Sequence, residues 1–267
     1  MGFLEEILAE TRRSIRQSGY VEGLGPAPGR PGPSLRRAVE RDRARGALVV
    51  EYKRVSPGSD RPVLPERSVA EFARAIGPTP PTAYSCVAAT PRFGGRPGDV
   101  AELRRETDLP ILFKEFVVDP LQLDVARRAG ASAVLLIARL GLPELPARVP
   151  IPELARAAHE RGLEVLLELH ARGELKLTGD VEADMYGVNV RDLDSLRIER
   201  PTAEATLGAA HHLRPLLGLS GVEGPAEAQR FWELGADGIL VGSAVARSSD
   251  PVTFLRSLGR RGREAPP

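Results

Sequence analysis

Apolar and polar positions alternate along this chain in a repeating pattern. Short runs rich in Val, Ile and Leu lie at residues 47–52, 82–87, 110–113, 133–137, 164–167, 185–188, 215–219 and 238–241. Each run has the length of a strand buried on both faces. Between them lie stretches with apolar residues at helical spacing, such as 67–76, 120–129, 151–161 and 225–234, and several end in a small turn such as Ala129-Gly130-Ala131. Ahead of the first run, residues 2–19 predict an amphipathic helix, 23–33 a Pro/Gly-rich connector, and Ser34 the N-cap of a second helix reaching Arg45. Eight strands alternating with helices predict an α/β fold, a single (β/α)8 TIM barrel spanning 1–267, with 1–45 as an N-terminal helical extension. A doubly wound open sheet usually has fewer strands and a glycine-rich first turn, which is not found here.

In such a barrel the chemistry gathers at the carboxyl ends of the strands, so the residues that close each apolar run are informative. Run one ends Glu51-Tyr52-Lys53-Arg54, and the two-residue strand period puts Glu51 and Lys53 on one face. Run three ends in Lys114-Glu115-Phe116, run five in Glu168, and run six in Asn189-Val190-Arg191. Runs seven and eight end in Ser220-Gly221 and Gly242-Ser243. Glycine lets a backbone approach a ligand closely, and a helix N-terminus offers free N–H groups, so this pair of dipeptides predicts a phosphate site.

Composition sharpens the choice of residues. Of 37 basic residues only Lys53, Lys114 and Lys176 are lysine, and Asn189 is the single asparagine. Where arginine supplies charge almost everywhere, a retained lysine is a candidate proton donor, because arginine does not release its proton. A net charge of +1 gives no footprint for nucleic acid or an anionic membrane, and the expected partner is a small molecule. The lone Cys86, expected in buried strand core, excludes an internal disulfide framework and fits a reducing cytoplasm. His159, His170, His211 and His212 have no metal-ligand spacing; no metal is predicted, and His170 reads as a loop residue. No apolar run reaches the roughly 20 residues of a membrane span.

Taken in order, these residues resemble indole-3-glycerol-phosphate synthase, over nearly the whole chain. Glu51-Tyr52-Lys53-Arg54-Val55-Ser56-Pro57 is like that family's E-Y-K-R-x-S-P, and residues 110–118 are similar to its P-[IV]-L-x-K-D-F segment, continued by Gln122. Asn189-Val190-Arg191-Asp192-Leu193 resembles N-x-R-[DN]-L. The resemblance implies closure of 1-(2-carboxyphenylamino)-1-deoxyribulose 5-phosphate to indole-3-glycerol phosphate, with loss of carbon dioxide and water. It implies no cofactor, a cytoplasmic setting, and association with other tryptophan-pathway enzymes. By residue it implies Lys114 as general acid, Glu168 and Glu51 for proton removal and dehydration, and Lys53 as second acid or anion partner. Asn189 and Arg191 would position the substrate. Ser56, Ser220, Gly221, Gly242 and Ser243 would surround its phosphate, and Phe93 and Phe116 would flank its aromatic ring.

Three segments depart from the family's pattern. Its usual strand-seven glutamate is Leu219, its S-V-L-T-E after strand two is Ser85-Cys86-Val87-Ala88-Ala89, and an aspartate is Glu115. An active synthase, another phosphosugar lyase or isomerase on the same scaffold, and a silent metabolite-binding paralogue are all compatible with these changes. Retention of Lys53 and Lys114 favours the first.

Overall fold

The computed structural model describes residues 3–25, 32–55, 68–89, 92–145 and 148–260. Its centre is a closed parallel barrel of eight strands in sequential order: β1 (Ala47–Tyr52), β2 (Ala83–Val87), β3 (Ile111–Lys114), β4 (Ala133–Ile137), β5 (Glu164–Leu169), β6 (Met185–Asn189), β7 (Leu216–Leu219) and β8 (Gly238–Val241). β1 closes the ring on β8, with Ala47 opposite Gly238. The helices are α1 (Phe3–Ser14), α2 (Leu35–Asp42), α3 (Val69–Ile76), α4 (Pro97–Glu106), α5 (Pro120–Arg128), α6 (Ile151–Glu160), α7 (Arg200–Ala209), α8 (Pro225–Glu233), α9 (Ser243–Arg247) and α10 (Pro251–Ser257). No helix among the described residues is long and apolar enough to cross a membrane.

Local sequence explains where the elements begin. Ser34 caps α2 by accepting the Arg37 N–H, and Ser68 with Glu71 forms a capping box at α3. Asp119 and Gln122 form another at α5, with Pro120 in the first turn, where its missing N–H costs nothing. Strand ends differ from the apolar runs in a consistent direction. The ladder continues to Lys114 opposite Val87, to Leu169 opposite Val188, and to Asn189 opposite Leu219. Backbone pairing is indifferent to side-chain polarity, so Lys114, Glu168 and Asn189 belong to the strands, whereas Lys53, Arg191 and Ser220 follow them. The N-terminal helix is shorter than its sequence pattern, ending at Ser14 before a 3-10 turn at Ser18–Val21.

Alternation within each strand sorts the barrel's two layers. On β1, Tyr52 points to the helices and meets the Phe72 ring of α3 edge-on at 5.4 Å, while Glu51 lines the central cavity. On β7, Gly218 faces outward, where the Phe231 ring of α8 occupies the place of any side chain. The apolar core runs without a break from the barrel interior through the helix layer, and Cys86 is fully buried in it.

Candidate active site

Lys53, Lys114, Glu51, Glu168, Asn189 and Arg191 converge on one cavity at the carboxyl ends of the strands. Glu51 and Glu168 are 4% and 1% exposed. Lys53 Nζ donates to Glu51 Oε1 at 2.9 Å. Burial opposes ionisation of Glu51, but the Lys53 and Lys114 charges outweigh it and hold its carboxyl below the usual range. For Glu168, too, burial is overcome, first by the Lys114 ammonium and then by the His170 imidazole beside it. One oxygen of each carboxylate, Oε2, is buried without a hydrogen-bond partner. Unpaired buried acceptors are costly to the fold, so their presence beside two lysines marks a place prepared for a ligand.

Neighbouring loops fix these groups from behind. Past β1, Arg54 turns away from the cavity and grips the fully buried Asp99 of α4 through Nη2 at 2.7 Å and Nε at 3.2 Å. Past β3, the buried Gln122 amide accepts from the Val118 and Asp119 N–H groups and donates to the Phe116 carbonyl. That ties down the loop carrying Phe116. Past β6, Asn189 Oδ1 accepts the Arg191 N–H at 2.9 Å, and Arg191 Nη1 donates to the Leu196 carbonyl at 2.6 Å. Burial lowers the guanidinium pKa of Arg191.

The two ends of the cavity differ in character. Val87, Ala89, Phe93, Phe116, Leu135 and Ile137 make an apolar side. The Phe93 and Phe116 rings stack on each other, 6.0 Å between centroids and 24° between planes. They therefore form one continuous wall and leave no slot between them for a third ring. At the opposite end, Ser220, Gly221, Gly242 and Ser243 surround a recess shared with Glu51, Lys53 and Arg191. Ser220 and Gly221 both have left-handed backbones, with φ of 66° and 72°. A Cβ on Gly242 would stand 3.1 Å from the Glu51 carboxylate, so glycine there leaves room for the acid. Ser56 lies outside the described residues.

The structure also brings in groups that sequence reading passed over. His170 follows β5 as a loop residue, as its position in the sequence predicts, but its side chain is buried: its Nε2 lies 3.2 Å from Glu168 Oε1 and its Nδ1 3.7 Å from Glu174 Oε2. The signal available was its two-residue spacing from Glu168 on β5. Phe3 of α1 reaches the cavity wall, which sequence spacing gave no means to foresee. Leu219 is fully buried and does not line the cavity. Gly187 and Asn189 share a face of β6, and Leu219 fills the space over Gly187, where a Cβ would come within 2.6 Å of its Cδ1. Among the described residues no group of three His, Cys, Asp or Glu side chains could hold a metal ion.

Comparison with known proteins gives one consistent match. The family model described as indole-3-glycerol phosphate synthase covers residues 4–258. A protein of that name from Methanopyrus kandleri is 33% identical over 266 residues, 97% of this chain and 99% of that protein. Indole-3-glycerol phosphate synthase 2 from Streptomyces coelicolor is 34% identical over 262 residues, 96% of this chain and 97% of that protein. Among solved structures, the tryptophan synthase alpha subunit from Legionella pneumophila superposes with a TM-score of 0.56 at 14% identity, covering 84% of this chain and 96% of that one. The 3-hexulose-6-phosphate synthase from Salmonella typhimurium gives 0.57 at 18% identity, covering 79% of this chain and 96% of that one. Those two likenesses speak to the barrel fold alone.

Proposed function

Since the chain belongs to the indole-3-glycerol phosphate synthase family, and is thereby a decarboxylating lyase of tryptophan biosynthesis acting on a small phosphorylated substrate, we propose a division of that reaction among its residues. The substrate is 1-(2-carboxyphenylamino)-1-deoxyribulose 5-phosphate. Its aromatic ring rests against the Phe93–Phe116 wall, and its phosphate occupies the recess of Ser220, Gly221, Gly242 and Ser243. Lys114 protonates the carbonyl oxygen as the ring carbon bearing the carboxylate attacks, and carbon dioxide then leaves. Glu168 or Glu51 takes a proton from the new ring while the hydroxyl departs as water. Lys53 is the second acid or the anion partner, and Arg191 and Asn189 orient the polar groups.

The observation that carries this reading is the position of Lys114. Its charge acts on both Glu51 and Glu168 at once, so an acid and two buried bases share one cavity. A proton given up by the lysine and one taken by a carboxylate are thus exchanged within a single bound substrate. Purified protein mixed with the ribulose phosphate should generate indole fluorescence. Absence of product with properly folded protein would refute the reading.

A further inference from the structure

The reaction sets Glu168 a problem that Lys114 alone does not solve. A carboxylate that is 1% exposed is kept ionised only by nearby positive charge, and Lys114 is the strongest such influence on it. Once Lys114 has given its proton to the substrate it is neutral. Burial would then pull a proton onto Glu168 and remove the base before dehydration, which needs it. A cation that takes no part in proton transfer to the substrate would prevent this.

His170 has the geometry of that cation. Its ring is 3% exposed and stands between two carboxylates, with Nε2 at 3.2 Å from Glu168 Oε1 and Nδ1 at 3.7 Å from Glu174 Oε2. Glu174, from the 3-10 segment Arg172–Leu177, also accepts the His170 backbone N–H at 2.8 Å, which holds its carboxylate near the ring. The charged groups around this pair come from several elements. Lys114 on β3 and Glu51 on β1 face Glu168 from the catalytic cavity, while Arg139 and Lys176 stand with His170 and Glu174 around a second cavity of about 650 Å³. Burial lowers the basicity of His170, and the two carboxylates more than restore it. Glu168 Oε1 thus lies at ion-pair distance from the imidazole, with neither ring nitrogen in a hydrogen bond, while Oε2 is buried and has no hydrogen-bond partner.

We propose that His170, held by Glu174, is a positioning residue that keeps Glu168 an anion with Oε2 presented to the substrate during the interval in which Lys114 is uncharged. This rests on the synthase reading above. His170 touches no reacting atom; it acts through Glu168.

Two variants test it, because they move opposite limbs of the pH profile. His170→Gln removes the cation, so kcat should fall at least roughly tenfold, within the 10²–10⁴ ceiling for general-base catalysis, with KM little changed. Its acid limb should move up by about one pH unit or more, the size of an opposite-charge effect on a carboxylate. Glu174→Gln leaves the Glu168–His170 pair but weakens the hold on the imidazolium, so the basic limb should move down. A lower kcat with both limbs unmoved would reduce His170 to a packing role and overturn the proposal, as would unchanged kcat in both variants. Titration of 13C-labelled glutamate carboxyls by NMR reads the clamp without turnover: the Glu168 transition should rise in His170→Gln, and an unchanged transition is fatal to the idea. If the parent protein makes no indole-3-glycerol phosphate, the functional reading fails while this titration still decides the clamp.

Discussion

Lys53 and Lys114 carry the same chemistry but are placed to use it differently. Lys53 Nζ is bound to Glu51 Oε1 at 2.9 Å, a role a guanidinium can fill, whereas Lys114 influences both buried carboxylates and is the group argued to part with its proton. Lys114→Arg should therefore lower turnover roughly 10²–10⁴-fold while substrate affinity changes little. Lys53→Arg should be the milder change, retaining more activity than Lys114→Arg. Steady-state kinetics on the two proteins distinguishes them, and equal losses would assign proton transfer to both. Glu115 illustrates a different use of burial. It is 3% exposed, accepts from the Phe116 N–H and the Tyr20 hydroxyl, and burial pushes its carboxyl up to about 8. The folded protein keeps a proton that the unfolded chain releases near 4.5, so this residue's contribution is complete at low pH and is lost as pH rises toward about 8. Glu115→Gln should remove that dependence and stabilise the protein at alkaline pH by up to roughly 5 kcal/mol, read from urea melts on either side of the window.

Strands β6 and β7 pack by a direct exchange of volume between neighbours. Leu219 is fully buried and occupies the space that Gly187 leaves empty. Gly187→Ala would put a Cβ 2.6 Å from Leu219 Cδ1, closer than any relaxed contact, and overpacking of this kind costs about 1–3 kcal/mol. Leu219→Ala alone should cost about 2–5 kcal/mol through the cavity it opens. The double variant should be less destabilised than the sum, because each change relieves the other. Thermal melts of the three proteins measure the coupling, and simple additivity would mean that the two residues do not compete for one space.

For the molecule as a whole, α1 is part of the site's enclosure. Phe3 lines the catalytic cavity, and Arg92 stacks over its ring at 5.2 Å while donating to Glu6 at 2.8 Å and to Glu10 at 2.7 and 2.8 Å. Tyr20 makes a second attachment from the same N-terminal segment to Glu115, next to Lys114. Because exposed ion pairs contribute little to global stability, Arg92→Ala should leave the melting temperature of the barrel nearly unchanged. Hydrogen exchange should instead rise selectively in α1, and KM should increase as the enclosure loosens. Uniform loss of protection across the barrel would show that α1 is an integral part of the cooperative unit.

Much of this protein is determined by its sequence alone. Eight apolar runs alternating with helices point to a closed parallel barrel, and the polar residues ending those runs, Glu51, Lys53, Lys114, Glu168, Asn189 and Arg191, meet in one cavity because all parallel strands end at the same rim. Tertiary structure decided what depends on distance across the chain. His170 is a loop residue in sequence and in structure, but its burial and its contact with Glu174 on the following 3-10 segment are not visible in local spacing. Phe93 and Phe116 are expected to flank a ring, yet they stack on each other, since the loops after β2 and β3 bring them to one side. Leu219 is legible as a departure from the family but not as the neighbour of Gly187, because that contact joins two strands far apart in the sequence and exists only once they are paired in the barrel. Periodicity encodes which face a residue occupies; only the closed barrel sets which residue stands opposite it.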